Sequence, residues 1–467
     1  MLSRRVSQAP RKPASVAART QGSRARLLLA GAFLGALCAG PAGTALAGGN
    51  CGGTSTGRIP LIDLGTGLYQ GFEGGLYPGG VNLRPAAHDN DADRAARLVL
   101  RDAAGQADAV SGRIVFLTIG MSNTTQETQA FIPLATADAQ VNRSVVLVDG
   151  AQGGWSADRL VDPAQNATYW TTVEARLAAA GVSDAQVQVL WLKEADASPT
   201  LPFPDDAAKL QREIESIIND IKSRFPNARQ LYLSSRIYAG YATTNLNPEP
   251  FAYQSGFAVQ GIVRDQLEGK PSLNFDPDRG RVGAPWLSWG AYLWADGLAP
   301  RSDGLLWECA DFQTDGTHPA ASGRQKVASM LLSFFKGDPV ASRWFTDCAP
   351  ADPGVFAVPP RVLGLSVTQG DALAWDDLDP VAGPDTTYDV VIGSVGDLRR
   401  SGDFLGARCA ASGLPSAAVT LPALDPPPGE AVYYVVRGRN ACGDGTYAEG
   451  WSDPGPRAYL DTNSPCH

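Results

Sequence analysis

The chain holds 467 residues, 44% hydrophobic and 19% charged, with a net charge of −9. That much apolar material builds at least one sizeable core, and the low charge fraction excludes a disordered chain. At about 150 residues per domain the length fits two or three domains, and 51 Gly with 34 Pro make them loop-rich.

Residues 1–47 carry seven basic residues and no acid, so without them the charge becomes −16. A body that acidic argues against nucleic acid and anionic membranes as partners. Within the segment, basic residues lead into an apolar run from Leu27 to Gly40, followed by the small-residue cleavage pattern Ala45-Leu46-Ala47. Residues 1–47 are therefore predicted to be a signal peptide, because a run of about 14 residues falls short of the about 20 that span a bilayer. No later run is long enough to span one. The mature protein is expected to be secreted, periplasmic or cell-surface, with no integral membrane segment.

Six cysteines remain after position 47: Cys51, Cys309, Cys348, Cys409, Cys442 and Cys466. An even number in an exported chain predicts disulfides. Cys309–Cys348 and Cys409–Cys442 are the expected pairs, since each stays within one domain. There is no CxxC, and the only histidines are His88, His318 and His467. Neither a metal site nor an organic cofactor is expected.

After a Gly-rich start, a helix is predicted over residues 91–102, with Ala95, Leu98 and Val99 on one face. Continuous apolar runs at 113–119, 144–148, 187–192 and 230–234 predict strands buried on both faces. Helical spacing recurs between them. It is clearest at 205–225, with Leu210, Ile214, Ile217, Ile218 and Ile221 on one stripe, and it returns at 321–336. This alternation predicts a three-layer α/β/α domain with a parallel sheet over residues 48–345. Such sheets place their sites at the carboxyl ends of the strands. Residues 346–360 read as a Pro-rich linker. Over residues 361–462 the pattern changes to short strands around Leu373/Trp375, 388–392 and 432–436, predicting a small all-β sandwich.

Two local patterns carry chemistry. Asp315-Gly-Thr-His318 lets a carboxylate turn back onto the imidazole Nδ1 and leave Nε2 free as a base. Gly120-Met-Ser122-Asn123 follows the first strand directly, so Ser122 opens a helix at the sheet's carboxyl edge, where a nucleophile meets free backbone N–H groups. Gly53-Thr-Ser55-Thr-Gly57 matches a nucleophile elbow but lacks the strand before it and the helix after it.

Together the strand–Gly-x-Ser-Asn and Asp-x-x-His patterns resemble the SGNH (GDSL-like) hydrolase superfamily over roughly residues 110–340. The Gly-Gly placement in Asp149-Gly-Ala-Gln-Gly153-Gly154 resembles its acetylesterase branch most closely. The resemblance implies a flavodoxin-like sheet and ester hydrolysis without a cofactor. It implies Ser122 as nucleophile, His318 as base and Asp315 as its orienting acid. It implies Gly153 as the second oxyanion donor, with Gly154 as the alternative. The third motif departs, because Lys193 in Trp191-Leu-Lys193-Glu194-Ala-Asp196 stands where the family carries Gln. Lys193 either donates to the oxyanion or pairs with Glu194 or Asp196. The fuller strings around Trp191, Leu233 and 247–253 resemble an uncharacterised exported subgroup, and residues 358–462 resemble a fibronectin type III-like domain.

Asn123, Gly154, Arg236 and Tyr238 are expected to line the substrate cleft, and His88 is expected as ordinary packing rather than as a cover for it. Trp286, Trp289, Trp294 and Trp307 are expected as packing rather than as a sugar-stacking wall. The reading is an exported serine esterase that removes acyl groups, acetyl among them, from a small-molecule or polysaccharide ester. The alternative is a glycan-binding surface protein on a degenerate SGNH domain.

Overall fold

The computed structural model describes residues 49–348, 357–368, 372–422, 426–448 and 455–466. The predicted signal peptide, part of the linker and His467 lie outside the described residues.

Five strands form one fully parallel sheet: β1 (Ile114–Gly120), β2 (Val145–Asp149), β3 (Val187–Lys193), β4 (Gln230–Leu233) and β5 (Trp286–Trp289). Their order across the sheet is β2-β1-β3-β4-β5. Every residue of β1, β3, β4 and β5 is buried, as both faces of a parallel sheet are covered by crossover helices. The helices are α1 (Ala86–Ala95), α2 (Ser122–Ala137), α3 (Ala167–Ala179), α4 (Asp205–Arg224), α5 (Phe251–Leu267) and α6 (Ala321–Gly337). Helix α2 packs on α6, and α4 packs on α5. In α4 the five apolar residues named above are all buried, each stabilising the fold by roughly 1.5–3 kcal/mol.

Three expectations change. The first helix spans Ala86–Ala95 rather than 91–102. The chain leaves it at Ala96 because Leu98 and Leu100 enter the core, where the Leu100 N–H donates to the Pro380 carbonyl at 2.7 Å. The Trp-rich stretch supplies the edge strand β5, paired with β4 from Gln230↔Trp286 to Leu233↔Trp289. Its four tryptophans are buried. The disulfides are Cys51–Cys309, Cys348–Cys442 and Cys409–Cys466, so both expected pairings are replaced. Cys309 is taken by Cys51 because the Gly-rich start lies against the loops near it, which leaves Cys348 to reach across to Cys442 in the second region.

That second region is antiparallel. One sheet orders β9 (Arg408–Leu414), β8 (Thr387–Ser394), β11 (Val432–Asn440) and β12 (Gly443–Asp444). The other orders β10 (Ala418–Thr420), β7 (Ala372–Ala374) and β6 (Ser366–Thr368). Leu373, Trp375, Tyr388, Val390 and Val436 form its core. Besides the Cys348–Cys442 bridge, Arg361 ties it to α1: its carbonyl accepts from Arg97 at 2.7 Å and its Nε pairs with Asp93 at 3.1 Å. Among the described residues no helix is long and apolar enough to cross a membrane.

Candidate active site

In a sheet of this order the crevice opens where crossovers leave in opposite directions, here between β1 and β3. Ser122 stands there. Gly120 ends β1 with φ +153, and a Cβ on it would lie 2.3 Å from the Lys193 carbonyl oxygen, so only glycine lets the chain turn from β1 into α2. Ser122 is the first residue of α2. Its N–H is one of the free donors of a helix start, and among the described residues no protein acceptor takes it.

His318 arrives from the far end of the chain. In the loop that carries it, Gly316 adopts φ +64, and a Cβ there would sit 1.8 Å from the Tyr241 carbonyl oxygen. The loop is braced by a 2.6 Å bond between the Thr244 and Thr317 hydroxyls and by the Asn123 amide, which donates to the Thr317 carbonyl at 3.1 Å. His318 Nε2 lies 2.8 Å from Ser122 Oγ, and Nδ1 lies 2.5 Å from Asp315 Oδ2. Asp315 Oδ1 accepts the N–H groups of Thr317 at 2.9 Å and His318 at 3.0 Å. Burial raises the Asp315 pKa, but the His318 ring and these N–H groups outweigh it, so the carboxyl lies below its usual range. With Nδ1–H donated to Asp315, Nε2 is the acceptor for the Ser122 hydroxyl.

A Cβ on Gly153 would lie 3.8 Å from Ser122 Cβ, so the Gly153 backbone runs beside Ser122. Its N–H also has no protein acceptor among the described residues. The cavity around Ser122 measures about 420 Å³, and Asn123, Gly154 and Arg236 line it. Trp155, Asp196 and Asn247 line it too. The sequence pointed to none of these three as cleft-lining, and to Asp196 only as a candidate partner of Lys193. The available signal was position: all follow strands at the carboxyl edge of the sheet.

Two expected site residues, Lys193 and Tyr238, lie elsewhere. Lys193 is 0% exposed, and its Nζ is 2.5 Å from both carboxylate oxygens of Glu127 on α2. It pairs with neither Glu194 nor Asp196, and it is not in the cavity wall. A buried cation takes the nearest carboxylate because desolvation makes an unpaired charge so unfavourable. Tyr238 is buried, with its hydroxyl donating to the Gly53 carbonyl at 2.6 Å. His88 is packing, as its sequence context favoured. It is buried against β5, bonded to the Leu287 carbonyl at 2.8 Å and stacked on Trp286. Ser55 donates to Asp296 at 2.5 Å. Among the described residues no group of three His, Cys, Asp or Glu is placed to hold a metal ion.

No known protein family and no curated protein matches the chain. Among solved structures it is similar to a carbohydrate esterase family 3 protein from Talaromyces cellulolyticus (12% identity, 46% of this chain, 93% of that one, TM-score 0.27). It is similar to an acetyl esterase variant with acetate ion (12%, 47% and 94%, TM-score 0.27). It is also similar to the periplasmic domain of a Salmonella ser. Paratyphi A lipopolysaccharide acetyltransferase (15%, 48% and 84%, TM-score 0.28). At these TM-scores the likenesses carry no weight for the site, which rests on its own geometry.

Proposed function

We propose that the protein is an exported serine esterase of SGNH type. The observation that carries this reading is the hydrogen-bonded chain Ser122–His318–Asp315 at the carboxyl edge of β1, with a cavity beside it. Both distances fall within or just below the about 2.6–3.2 Å reach of a working base.

In the proposed reaction His318 Nε2 takes the Ser122 proton as Oγ attacks the ester carbonyl carbon. The N–H groups of Ser122 and Gly153 receive the oxyanion, each such donor being worth about 10²–10³ in rate. The tetrahedral adduct collapses, the C–O bond to the alcohol breaks, and the alcohol leaves with the proton from His318. Water, deprotonated by His318, attacks the acyl–Ser122 ester and releases the carboxylic acid. Asp315 holds the ring and faces the positive charge that forms on it. The scheme draws on no metal or cofactor.

The substrate proposed is an acyl ester of a small molecule or a polysaccharide, with acetyl esters of carbohydrate in the first rank. Trp155 in the cavity wall supports a ring-shaped alcohol. The three disulfides support an oxidising, exported location. The four- and three-stranded antiparallel sheets over a Trp375 core support a fibronectin type III-like attachment module.

The test is fluorophosphonate labelling of the mature chain with peptide mapping. Modification at Ser122 that disappears in His318→Ala is the expected result. A folded chain that takes no label refutes the reading and leaves the glycan-binding alternative.

A further inference from the structure

One guanidinium in the wall of the Ser122 cavity keeps two nitrogens that no acceptor among the described residues takes. Arg236 follows β4 and is 1% exposed. Its Nε and Nη2 are buried without a hydrogen-bond partner. Buried polar atoms are nearly always paired, so two orphaned guanidinium nitrogens on a residue that lines a cavity call for an acceptor from outside.

The carboxylates around Arg236 are Glu127, Glu249, Asp315 and Glu194. Three are already engaged. Lys193 holds Glu127. The Trp294 indole and the Ala239 and Tyr253 N–H groups hold Glu249. His318 holds Asp315. Glu194 has only the Ala195 N–H at 3.3 Å, and its Oε1 is unpartnered as well. Burial pushes Glu194 well above the usual carboxylate range, and none of the four carboxylates accepts a hydrogen bond from Arg236 Nε or Nη2.

The rest of the wall has the same character. Arg159 lies over the Trp155 ring and donates to the Gly154 carbonyl. Asp196, the acid of the same wall, is held by Lys209 and accepts the Asp158 N–H at 3.1 Å. Asn247 contributes a buried Oδ1 with no donor. A volume of about 420 Å³ suits a ligand of monosaccharide size.

We propose that this cavity takes esters carrying a carboxylate, that the Arg236 guanidinium binds the carboxylate, and that Asn247 accepts a neighbouring substrate hydroxyl. The carboxylate belongs either to the alcohol, as in an acetylated sugar acid, or to the acyl group, as in a dicarboxylate half-ester. A planar fork of donors matches carboxylate geometry better than a point charge does. Turnover of such esters rests on the esterase reading above, whereas binding of the carboxylate does not.

The experiment uses the full mature chain in two arms. Calorimetry compares glucuronate with glucose. Kinetics compares kcat/KM for acetylated glucuronate against acetylated glucose, and for 4-nitrophenyl hemiglutarate against 4-nitrophenyl butanoate. The expected result is at least about tenfold preference for the anion in binding and in one ester pair, and that pair tells which side carries the carboxylate. Arg236→Gln brings the ratio towards one and Arg236→Lys leaves it intermediate. Should the Gln variant not fold, the wild-type ratios and the Lys variant decide. A chain that hydrolyses neutral and anionic esters equally, and binds glucuronate no better than glucose, overturns the proposal and leaves the esterase reading intact. Selective glucuronate binding by a chain that takes no fluorophosphonate supports the proposal for the cavity and removes the esterase reading.

Discussion

Replacing Lys193 with methionine separates two roles for the residue at the third motif. Lys193 and Glu127 are both 0% exposed, with 2.5 Å between Nζ and each carboxylate oxygen. Removing one member of such a pair leaves an uncompensated charge and typically costs about 3–5 kcal/mol. Burial already raises the Glu127 pKa, so the orphaned acid takes up a proton, and the expected loss is at the lower end, about 3 kcal/mol. Replacing both partners by apolar residues removes the desolvation penalty with the attraction. Glu127→Leu/Lys193→Met is therefore expected within about 1 kcal/mol of wild type, or more stable. Urea unfolding followed by Trp fluorescence compares the single and double variants, and a double variant as unstable as Lys193→Met alone would refute the pairing. The same double variant then tests chemistry. An oxyanion donor at 193 would take about 10²–10³ of the rate with it. Lys193 sits outside the cavity wall, so hydrolysis of a chromogenic acetate is expected to fall by less than about fivefold, far short of the loss of a donor.

Gly120→Ala forces a Cβ against the Lys193 carbonyl at φ +153, and it is expected to cost about 2 kcal/mol or more in urea unfolding and to displace Ser122. Burial pulls His88 down to about 4 from 6.5, with Arg84 lowering it further and Asp89 and Asp91 acting against this. The unfolded chain therefore binds a proton that the folded chain refuses, so stability falls as pH drops from about 6.5 to 4, by about 3 kcal/mol. His88→Gln is expected to lack that slope in unfolding curves at pH 4.5 and 7. Asp315→Asn is expected to lower turnover by about 10²–10⁴ by releasing the imidazole. Because the Asp315 pKa is depressed, its stabilisation is complete above the ordinary carboxylate pKa and is lost as pH falls through the folded value. The stability gap between wild type and the Asn variant should therefore close only in acid, and a gap closing near neutrality would contradict the assignment.

Four of the five sheet strands were legible because a parallel strand in such a sheet is mostly apolar, as 114–119 and 187–192 are apart from Thr118 and Gln188; of the four, Val145–Asp149 at the sheet edge is only partly buried, against the expectation of burial on both faces. The fifth was not. Trp286-Leu-Ser-Trp289 is short, lies in a stretch dense in Gly and Pro, and carries Ser288, whose hydroxyl is satisfied by Tyr77 and the Trp289 carbonyl. Its strand character comes from pairing with β4, a contact that local pattern does not encode. The disulfides failed for the same reason. Cys51 and Cys309 are 258 residues apart, and only the fold brings them together.

At the site, Ser122 and His318 were legible because each sits in a pattern that the local backbone enforces: a glycine that permits the strand-to-helix turn, and an acid three residues before the imidazole. Lys193 was legible only as an anomaly. Its partner lies 66 positions away on α2, so the sequence offered the nearby Glu194 and Asp196, which are close along the chain but turned to other work. Arg236 and Asn247 carried still less signal, since a buried arginine and a loop asparagine look alike whether satisfied or not. What distinguishes them is a deficit: Arg236 Nε and Nη2 and Asn247 Oδ1 are buried without partners. An unmet hydrogen bond is a property of the folded surroundings. The patterns around Ser122 and His318 can therefore be read along the chain, while unmet bonds such as those of Arg236 and Asn247 appear only once the buried donors and acceptors of the folded protein have been paired off.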